Sequence, residues 1–367
     1  MNKRHKWSYR VKRWSLINKN PVWIKLWNWE YWPTLAFYWP MFVYGPLLAL
    51  RSRHACFFTA ANPGILAGGL GLESKYATIQ NLPASLCPKS ILAPRGRDLA
   101  LILEEIRQVG IEFPLIAKPD VGYRGFLVKK LDTPDQLRAY LSQYPIDFII
   151  QEYLNYPEEL GVLYYRLPNA EKGKITSLTL KDFLHVTGDG KSTVLELIES
   201  TPRALLQLDR LQETHWQLFK NVPAVGERIG LGVIGNHSKG TQFVNGNQYI
   251  DAALHHTFDA VAKQIPDFSY GRFDIKCNSL EDLKQGKNFK IIELNGVCSE
   301  PTHIYDQTLG SYFRAVGTIM KHWTIVRKVA AANHRKGVAY MPESQMIKML
   351  TGLRDYHQKI KAALKAE

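Results

Sequence analysis

The chain has 367 residues, 46% hydrophobic and 22% charged, which excludes a disordered or fibrous class and leaves room for two or three lobes around a large core. Lys and Arg total 47 against 33 Asp and Glu, a formal charge of +14, so an anionic partner is expected: a phosphorylated ligand, nucleic acid or an anionic membrane surface. Cys56, Cys87, Cys277 and Cys298 have no paired spacing, which indicates neither a zinc site nor a disulfide framework and fits a reducing cytoplasm.

Residues 1–30 carry eight Lys or Arg and a single acid, Glu30, and seven of the nine Trp lie at or before Trp39. The run Tyr31 to Leu50 then has no charge, and Arg51 and Arg53 close it. Twenty uncharged residues match a bilayer in length, but Pro33, Pro40 and Pro46 interrupt them, and Trp and Tyr favour the interface. The run starts too far into the chain, and lacks a small-residue cleavage site, for a cleaved signal. Three readings stay open: a membrane-surface anchor, a true span, or an apolar arm packed on the protein body. Trp with Lys and Arg is also a nucleic-acid composition, but no recognisable module accompanies it, and nucleic acid is set aside.

Cys56 to Gly64 reads as a strand entering a turn, and Ala67 to Lys75 as a glycine-rich loop that permits close backbone approach to a ligand or simply a tight connection. Lys75 opens a helix through Gln80, with Pro83 and Pro88 marking its exit. Asp98 to Val109 has the apolar spacing of an amphipathic helix. Phe113 to Asp120 predicts a buried strand ending at Lys118, and Val121 to Lys129 a glycine-containing hairpin loop. A Lys beside such a loop can hold nucleotide phosphates, although a plain surface hairpin is the competing reading and GxxxxGK[ST] is absent.

A helix is expected over Thr133 to Tyr144, then strands over Phe148 to Leu154 and Gly161 to Arg166, whose polar break forms a crevice where adenine could stack. Lys174 to Leu180 extends the sheet and brings in Lys181. Val186 to Thr193 reads as a turn, Val194 to Leu205 as helix, Gly235 to Gly240 as a polar loop and Asp251 to Gln264 as helix. The chain beyond Leu309 is helical and basic.

Tyr270 to Lys276 and Ile291 to Gly296 predict two adjacent strands joined by a polar loop. Glu293 and Asn295 are two apart and share a sheet face. With Asp274 they offer hard oxygen ligands of the kind Mg2+ takes while leaving positions for water and phosphate. The bland alternative, a salt-bridged strand pair, must accommodate a carboxylate directly after two Ile in a buried strand.

In this order the pieces resemble the ATP-grasp ligases over about Lys75 to Asp306. The carrying motifs are Lys75 ahead of Pro88, Lys118 with the Gly122 to Gly125 loop, Gln151-Glu-Tyr-Leu154 then Glu159, Arg272-Phe-Asp274, and Glu293-Leu-Asn295. Val186 to Thr193 and the Asn236 loop resemble the cyanophycin synthetase and bifunctional glutathione synthetase branch, and the spacing of the adenine stretch resembles D-alanine–D-alanine ligases. The resemblance implies an α+β fold, two α+β lobes clasping ATP between antiparallel sheets, with the Trp-rich arm ahead and a helical tail behind. The expected division is an arm over 1–54, a catalytic domain over 55–310 (leading segment 55–110, nucleotide-binding lobe 111–182, metal-binding core lobe 183–310) and a tail over 311–367.

Carried over by position, Lys75, Lys118 and Lys181 contact ATP phosphates, and Gly122, Arg124 and Gly125 close over them. Gln151, Glu152 and Leu154 read adenine, and Glu159 binds ribose. Asp274, Glu293 and Asn295 hold one or two Mg2+, with Mn2+ as a substitute, and Arg272 steadies an acyl phosphate; Lys118 and Lys181 join it as catalytic candidates. The implied activity joins a small-molecule carboxylate to an amine through an acyl phosphate, releasing ADP and phosphate. A phosphotransferase and a non-catalytic ATP-binding membrane protein are the alternatives. A homodimer is admitted, and the arm would hold a cytoplasmic enzyme at the inner membrane face. Two features depart from the family: many relatives carry Pro-Gly shortly after the metal-binding Asn, where this chain has Cys298 to Asp306, and the region before Lys75 is short for a leading domain. Glu300, His303 and Asp306 would then shape an acceptor pocket, with His303 as a structural hydrogen-bonder in the alternative.

Overall fold

A computed structural model describes residues 20–365 apart from 72, 123, 124, 233, 234 and 309, and the side chains of 357, 359 and 361–365 are not described. Trp7, Trp14 and seven of the eight basic residues noted in the N-terminal stretch therefore lie outside the described residues. The rest falls into two compact units, one drawn from Met1–Phe37 and Leu184–Val233, the other from Tyr38–Phe183 and Ile234–Glu367. The strands, in chain order, are β1 Ser90–Ala93, β2 Leu115–Pro119, β3 Lys129–Leu131, β4 Phe148–Glu152, β5 Glu158–Tyr165, β6 Lys174–Asp182, β7 His185–Thr187, β8 Arg228–Gly230, β9 Gln242–Asn245, β10 Tyr270–Cys277 and β11 Phe289–Asn295.

The larger unit holds two antiparallel sheets, a four-stranded one in the order β1-β4-β2-β3 and a five-stranded one in the order β11-β10-β5-β6-β9. Both are sided by alternation. In the first, Ile91, Leu115, Ala117, Phe148 and Ile150 pack against the helices Leu99–Val109 and Pro134–Gln143. Their sequence neighbours Ser90, Lys118 and Gln151 therefore occupy the opposite face. In the second, Leu160, Val162, Leu178, Phe273 and Ile275 pack on the helix Ala252–Lys263. Its other face carries Glu159, Lys181, Arg272 and Asp274. The α+β fold with antiparallel sheets is the one expected.

Local chemistry sets the helix ends. Asp98 Oδ1 accepts from Ala100 N at 2.6 Å, and Gly110 closes that helix in the left-handed region at φ 71°. Ser74, Thr133 and Asp251 cap their helices in the same way. Two expectations change form. Cys56 to Gly64 is not a strand but a 3-10 helix, Phe57–Ala61, buried with Leu48 against the helix Tyr312–Arg335. A short apolar run fixes burial, not the backbone that achieves it. The helix expected over Val194 to Leu205 breaks into Val194–Ser200 and Pro202–Leu205, because Pro202 has no amide to continue it.

In the smaller unit β7 pairs with β8, and Val186, Val194, Ile198 and Leu211 form the core. The turn after β7 is built by Asp189, whose carboxylate accepts from the amides of Lys191 and Ser192 at 2.9 and 2.7 Å. Thr193 and Glu196 follow with a reciprocal capping box. Within this unit Arg203 grips Glu30 through both carboxylate oxygens at 2.9 and 2.8 Å and lies 5.5 Å from the Tyr31 ring centroid. The uncharged run is divided into the helices Thr34–Tyr38 and Met41–Ser52, and among the described residues no helix is long and apolar enough to cross a membrane.

The glycine-rich loop makes a backbone-to-backbone seam with the end of β11. Val297 N and Cys298 N donate to Gly68 O and Gly69 O, each at 3.0 Å, and a Cβ on Gly69 or Gly296 would fall on the other's backbone. Fully buried Asn62 binds this seam to β10, donating to Gly68 O at 2.9 Å and Tyr270 O at 2.8 Å while accepting from the amides of Ser269 and Tyr270. Asn62→Ala removes a hydrogen-bond partner from four buried backbone groups, of which Gly68 O keeps Val297 N, and is expected to cost about 3 kcal/mol, read as a lowered urea midpoint. An unchanged midpoint would remove Asn62 as the pin.

Candidate functional site

The open face of the five-stranded sheet concentrates charge. Asp274 of β10 stands opposite Glu293 of β11, and a bulge immediately after Asp274 pairs Ile275 with Ile291, leaving Ile292 as the extra residue. The bulge shifts the alternation by one. Phe289, Ile291 and Leu294 all reach the core, while Glu293 and Asn295 join Asp274 on the open face. Asn295 Nδ2 donates to Asp274 Oδ2 at 3.2 Å, so the three predicted metal-binding residues are brought together.

Cations surround them. Arg272 binds Asp274 through Nε at 3.0 Å and Nη2 at 3.1 Å, and its Nη1 donates to Glu300 O at 3.2 Å. Lys181 lies 2.8 Å from Glu159 Oε1 and 3.5 Å from Asp274 Oδ1. Lys75, at the start of its helix, pairs with Glu293. Burial opposes ionisation of Asp274, but Arg272 and then Lys181 outweigh it and hold the carboxyl down at about 2. Burial likewise works against the Lys181 charge, yet Asp274 and Glu159 raise its pKa.

Lys118 differs from the others. It is 9% exposed and crosses from the four-stranded sheet to donate to Ile292 O at 2.9 Å, the carbonyl of the bulged residue, and to Gln151 Oε1 at 3.2 Å. It forms no ion pair with a described carboxylate. Burial pushes its pKa down to about 8, with Glu293 acting in the opposite direction. Gln151 in turn donates to Ser90 Oγ at 2.9 Å, so its side chain positions Lys118.

The remaining predicted residues divide. Glu159 belongs to the cluster, and a Cβ on Gly235 would strike its carboxylate. Glu152 and Leu154 both line a cavity of about 750 Å³, together with Cys87, Tyr156 and Lys290, and the Glu152 carboxylate accepts from Lys89 N at 2.9 Å. The Leu154 carbonyl accepts from Lys276 Nζ at 3.4 Å. Gly122 and Gly125 follow β2, Gly125 with φ 65°, while Arg124 lies outside the described residues.

Sequence reading missed three contributors. Lys276 alternates with Arg272 and Asp274 on β10, a signal available in the sequence, and its ammonium lies 5.7 Å from the ring centroids of Tyr153 and Phe183. Tyr38 and Tyr305 both donate to the Glu300 carboxylate, Tyr305 at 2.8 Å, and no local pattern links them. His303 Nδ1 meets Ser177 Oγ at 2.7 Å, and Asp306 accepts from Asn245 N at 2.8 Å, which places both in the loop over this face.

Among the described residues no group of three or more His, Cys, Asp or Glu is placed to hold a metal ion. Asp274, Glu293 and Asn295 supply two carboxylates and an amide, an all-oxygen set. Glu293 Oε2 and Asn295 Oδ1 have no hydrogen-bond partner among the described residues. Such a set suits Mg2+, which keeps water and phosphate oxygens in its remaining positions.

No family model and no curated protein matches the sequence. Among solved structures, the chain is similar to a D-alanine–D-alanine ligase from Bacillus anthracis, at 14% identity over 73% of this chain and 70% of that one, with a TM-score of 0.42. It is similar to the VanG D-Ala:D-Ser ligase from Enterococcus faecalis, at 13% identity over 69% and 62% with a TM-score of 0.38. A bifunctional glutathione synthetase from Pasteurella multocida matches at 15% identity over 63% of this chain, with a TM-score of 0.37; the chain spans 33% of its length. The residues of the charged face, rather than these likenesses, define what the site can do.

The depressed pKa of Asp274 makes a signed prediction. Its folded value of about 2 lies below the ~3.9 of an unfolded Asp, so its stabilisation is present above pH ~4 and is lost as pH falls through about 2. Asp274→Asn should lose about 3 kcal/mol at neutral pH by stranding Arg272, and should show a shallower acid limb in denaturation. An acid limb as steep as the parent's would mean that other carboxylates carry it.

Proposed function

We propose that the protein is an ATP-dependent ligase of the ATP-grasp type, which activates a carboxylate as an acyl phosphate and joins it to an amine or a similar nucleophile. Lys118 carries this reading. A buried ammonium tied only to neutral acceptors, beside carboxylates already paired with other cations, leaves a positive charge for an incoming anion. Its place between two sheets, above Asp274, Glu293 and Asn295, suits a metal-bound polyphosphate.

In this reading Lys118 and Lys75 hold phosphate oxygens, Lys75 exchanging Glu293 for the nucleotide, and the Gly122 to Gly125 loop covers them. Glu159 takes a ribose hydroxyl, and the backbone around Glu152 and Leu154 reads adenine. Mg2+, held by Asp274, Glu293 and Asn295, would neutralise phosphate charge when bound. The substrate carboxylate attacks the γ-phosphorus and ADP leaves. The amine then adds to the acyl carbon, and phosphate departs as the amide forms. Arg272, fixed on Asp274 and the Glu300 carbonyl, stabilises charge on the phosphoryl and then on the acyl oxygen. No side-chain nucleophile is needed.

The reading places the protein in the cytoplasm, peripheral on the inner membrane face. The helix Met41–Ser52 exposes Phe42 by 59%, Val43, Leu47 and Leu50 by 74%, with Arg51 and Arg53 at its end, an interfacial composition.

Two measurements test these readings. ADP release from MgATP with pooled carboxylates and amines should require both pools and fall about 100-fold in Asp274→Asn. Labelled γ-phosphate retained in the product would instead mark a phosphotransferase. Co-sedimentation should favour anionic over zwitterionic vesicles and fall roughly fivefold in Phe42→Ser with Leu50→Ser; equal partition of parent and variant would remove the membrane role.

A further inference from the structure

Glu300 is a half-buried carboxylate beside Arg272 with an unusual set of partners. Asp274, Glu293 and Glu159, on the same sheet face, each pair with a Lys or Arg. Asp306, in the same loop as Glu300, is taken up by three neutral donors, Asn245 N at 2.8 Å, Thr308 N at 2.9 Å and Thr308 Oγ1 at 2.6 Å. Glu300 interacts with the Arg272 charge without a direct ion pair to it, and its two oxygens each accept one phenol, from Tyr38 and Tyr305. An ionised carboxylate offers about four lone-pair sites, so two phenols leave about half of them open.

The surroundings are aromatic. The Tyr305 ring stacks on His237 at 5.3 Å between centroids and lies 6.3 Å from Phe243. Burial first, and then Glu300, keeps the Tyr38 hydroxyl protonated, so it stays a donor. A carboxylate flanked by phenol oxygens and π-faces recognises a cation by charge-assisted hydrogen bonding and by cation–π attraction together. The Glu300 carbonyl is held by the guanidinium that also holds Asp274, which puts this subsite next to the acyl-transfer position rather than at the nucleotide.

We infer that Glu300, between Tyr38 and Tyr305, docks the ammonium of a cationic amine substrate, of the diamine or basic amino-acid class. The assignment of that amine as acyl acceptor rests on the ligase reading. The cation subsite itself does not, and it is tested without turnover.

Calorimetry on the full chain with Mg2+ and a non-hydrolysable ATP analogue would compare three probes of one length: 1,4-diaminobutane, 1,4-butanediol and succinate. The diamine should bind about tenfold more tightly than either of the others, and Glu300→Gln should erase that preference while analogue affinity is unchanged. Tyr305→Phe, which keeps the ring and removes the donor, should leave a diamine preference, because the carboxylate remains. No diamine preference in the parent protein, or an undiminished one in Glu300→Gln, overturns the proposal. A diamine preference without analogue binding upholds the subsite and overturns the ligase reading; analogue binding without the preference overturns the subsite alone.

Discussion

Removing charge from water is the constraint around which the larger unit is arranged. Asp274 is buried, and its carboxylate is tolerable there only because Arg272 supplies a two-point hydrogen-bonded partner and Lys181 a second positive charge. Arg272 is itself positioned by the Glu300 carbonyl, and Lys181 by Glu159. The pairs therefore form a connected network, in which loss of one member strands its neighbours. Such a network offers little net stability over an apolar core, so its presence is better explained by what it can exchange. A ligand carrying both a divalent cation and phosphates offers a new partner to each sign at once.

The sequence made the two-strand heart of this network legible because β-structure has a short, strict period. Glu293 and Asn295 share a face by spacing alone, and the helices around Lys75, Leu99 and Ala252 carry their caps in plain view at Ser74, Asp98 and Asp251. What stayed hidden depends on distant partners. Asn62 serves backbone groups more than 200 positions away, and Tyr38 meets Glu300 across 262 positions. No local propensity encodes either contact. Gln151 was legible as a residue of the crevice, but its hydrogen bonds to Lys118 and Ser90 emerged only once β1, β2 and β4 were aligned in register.

The Val186 to Thr193 stretch, distinctive enough in sequence to contribute to a family resemblance, has a local account. Asp189 folds the turn through the amides of Lys191 and Ser192, and the Thr193–Glu196 box starts the following helix. Its composition is what a tight strand-to-helix connection requires, whatever further role the stretch has. The glycine-rich loop ahead of Lys75 is similar. Its Gly69 answers a steric demand at Gly296, so the loop belongs to the same structural body as the metal-binding candidates.

The bulge in β11 has an evolutionary consequence. Side-chain identity along this strand can drift within the limits of size and charge, but strand length cannot. Deleting Ile292 would restore regular pairing and leave Glu293 and Asn295 on their present face, but it would withdraw the carbonyl that holds Lys118. Insertions and deletions would therefore be purged from this segment even where substitutions are accepted, so the site's signature is a spacing as much as a set of residues.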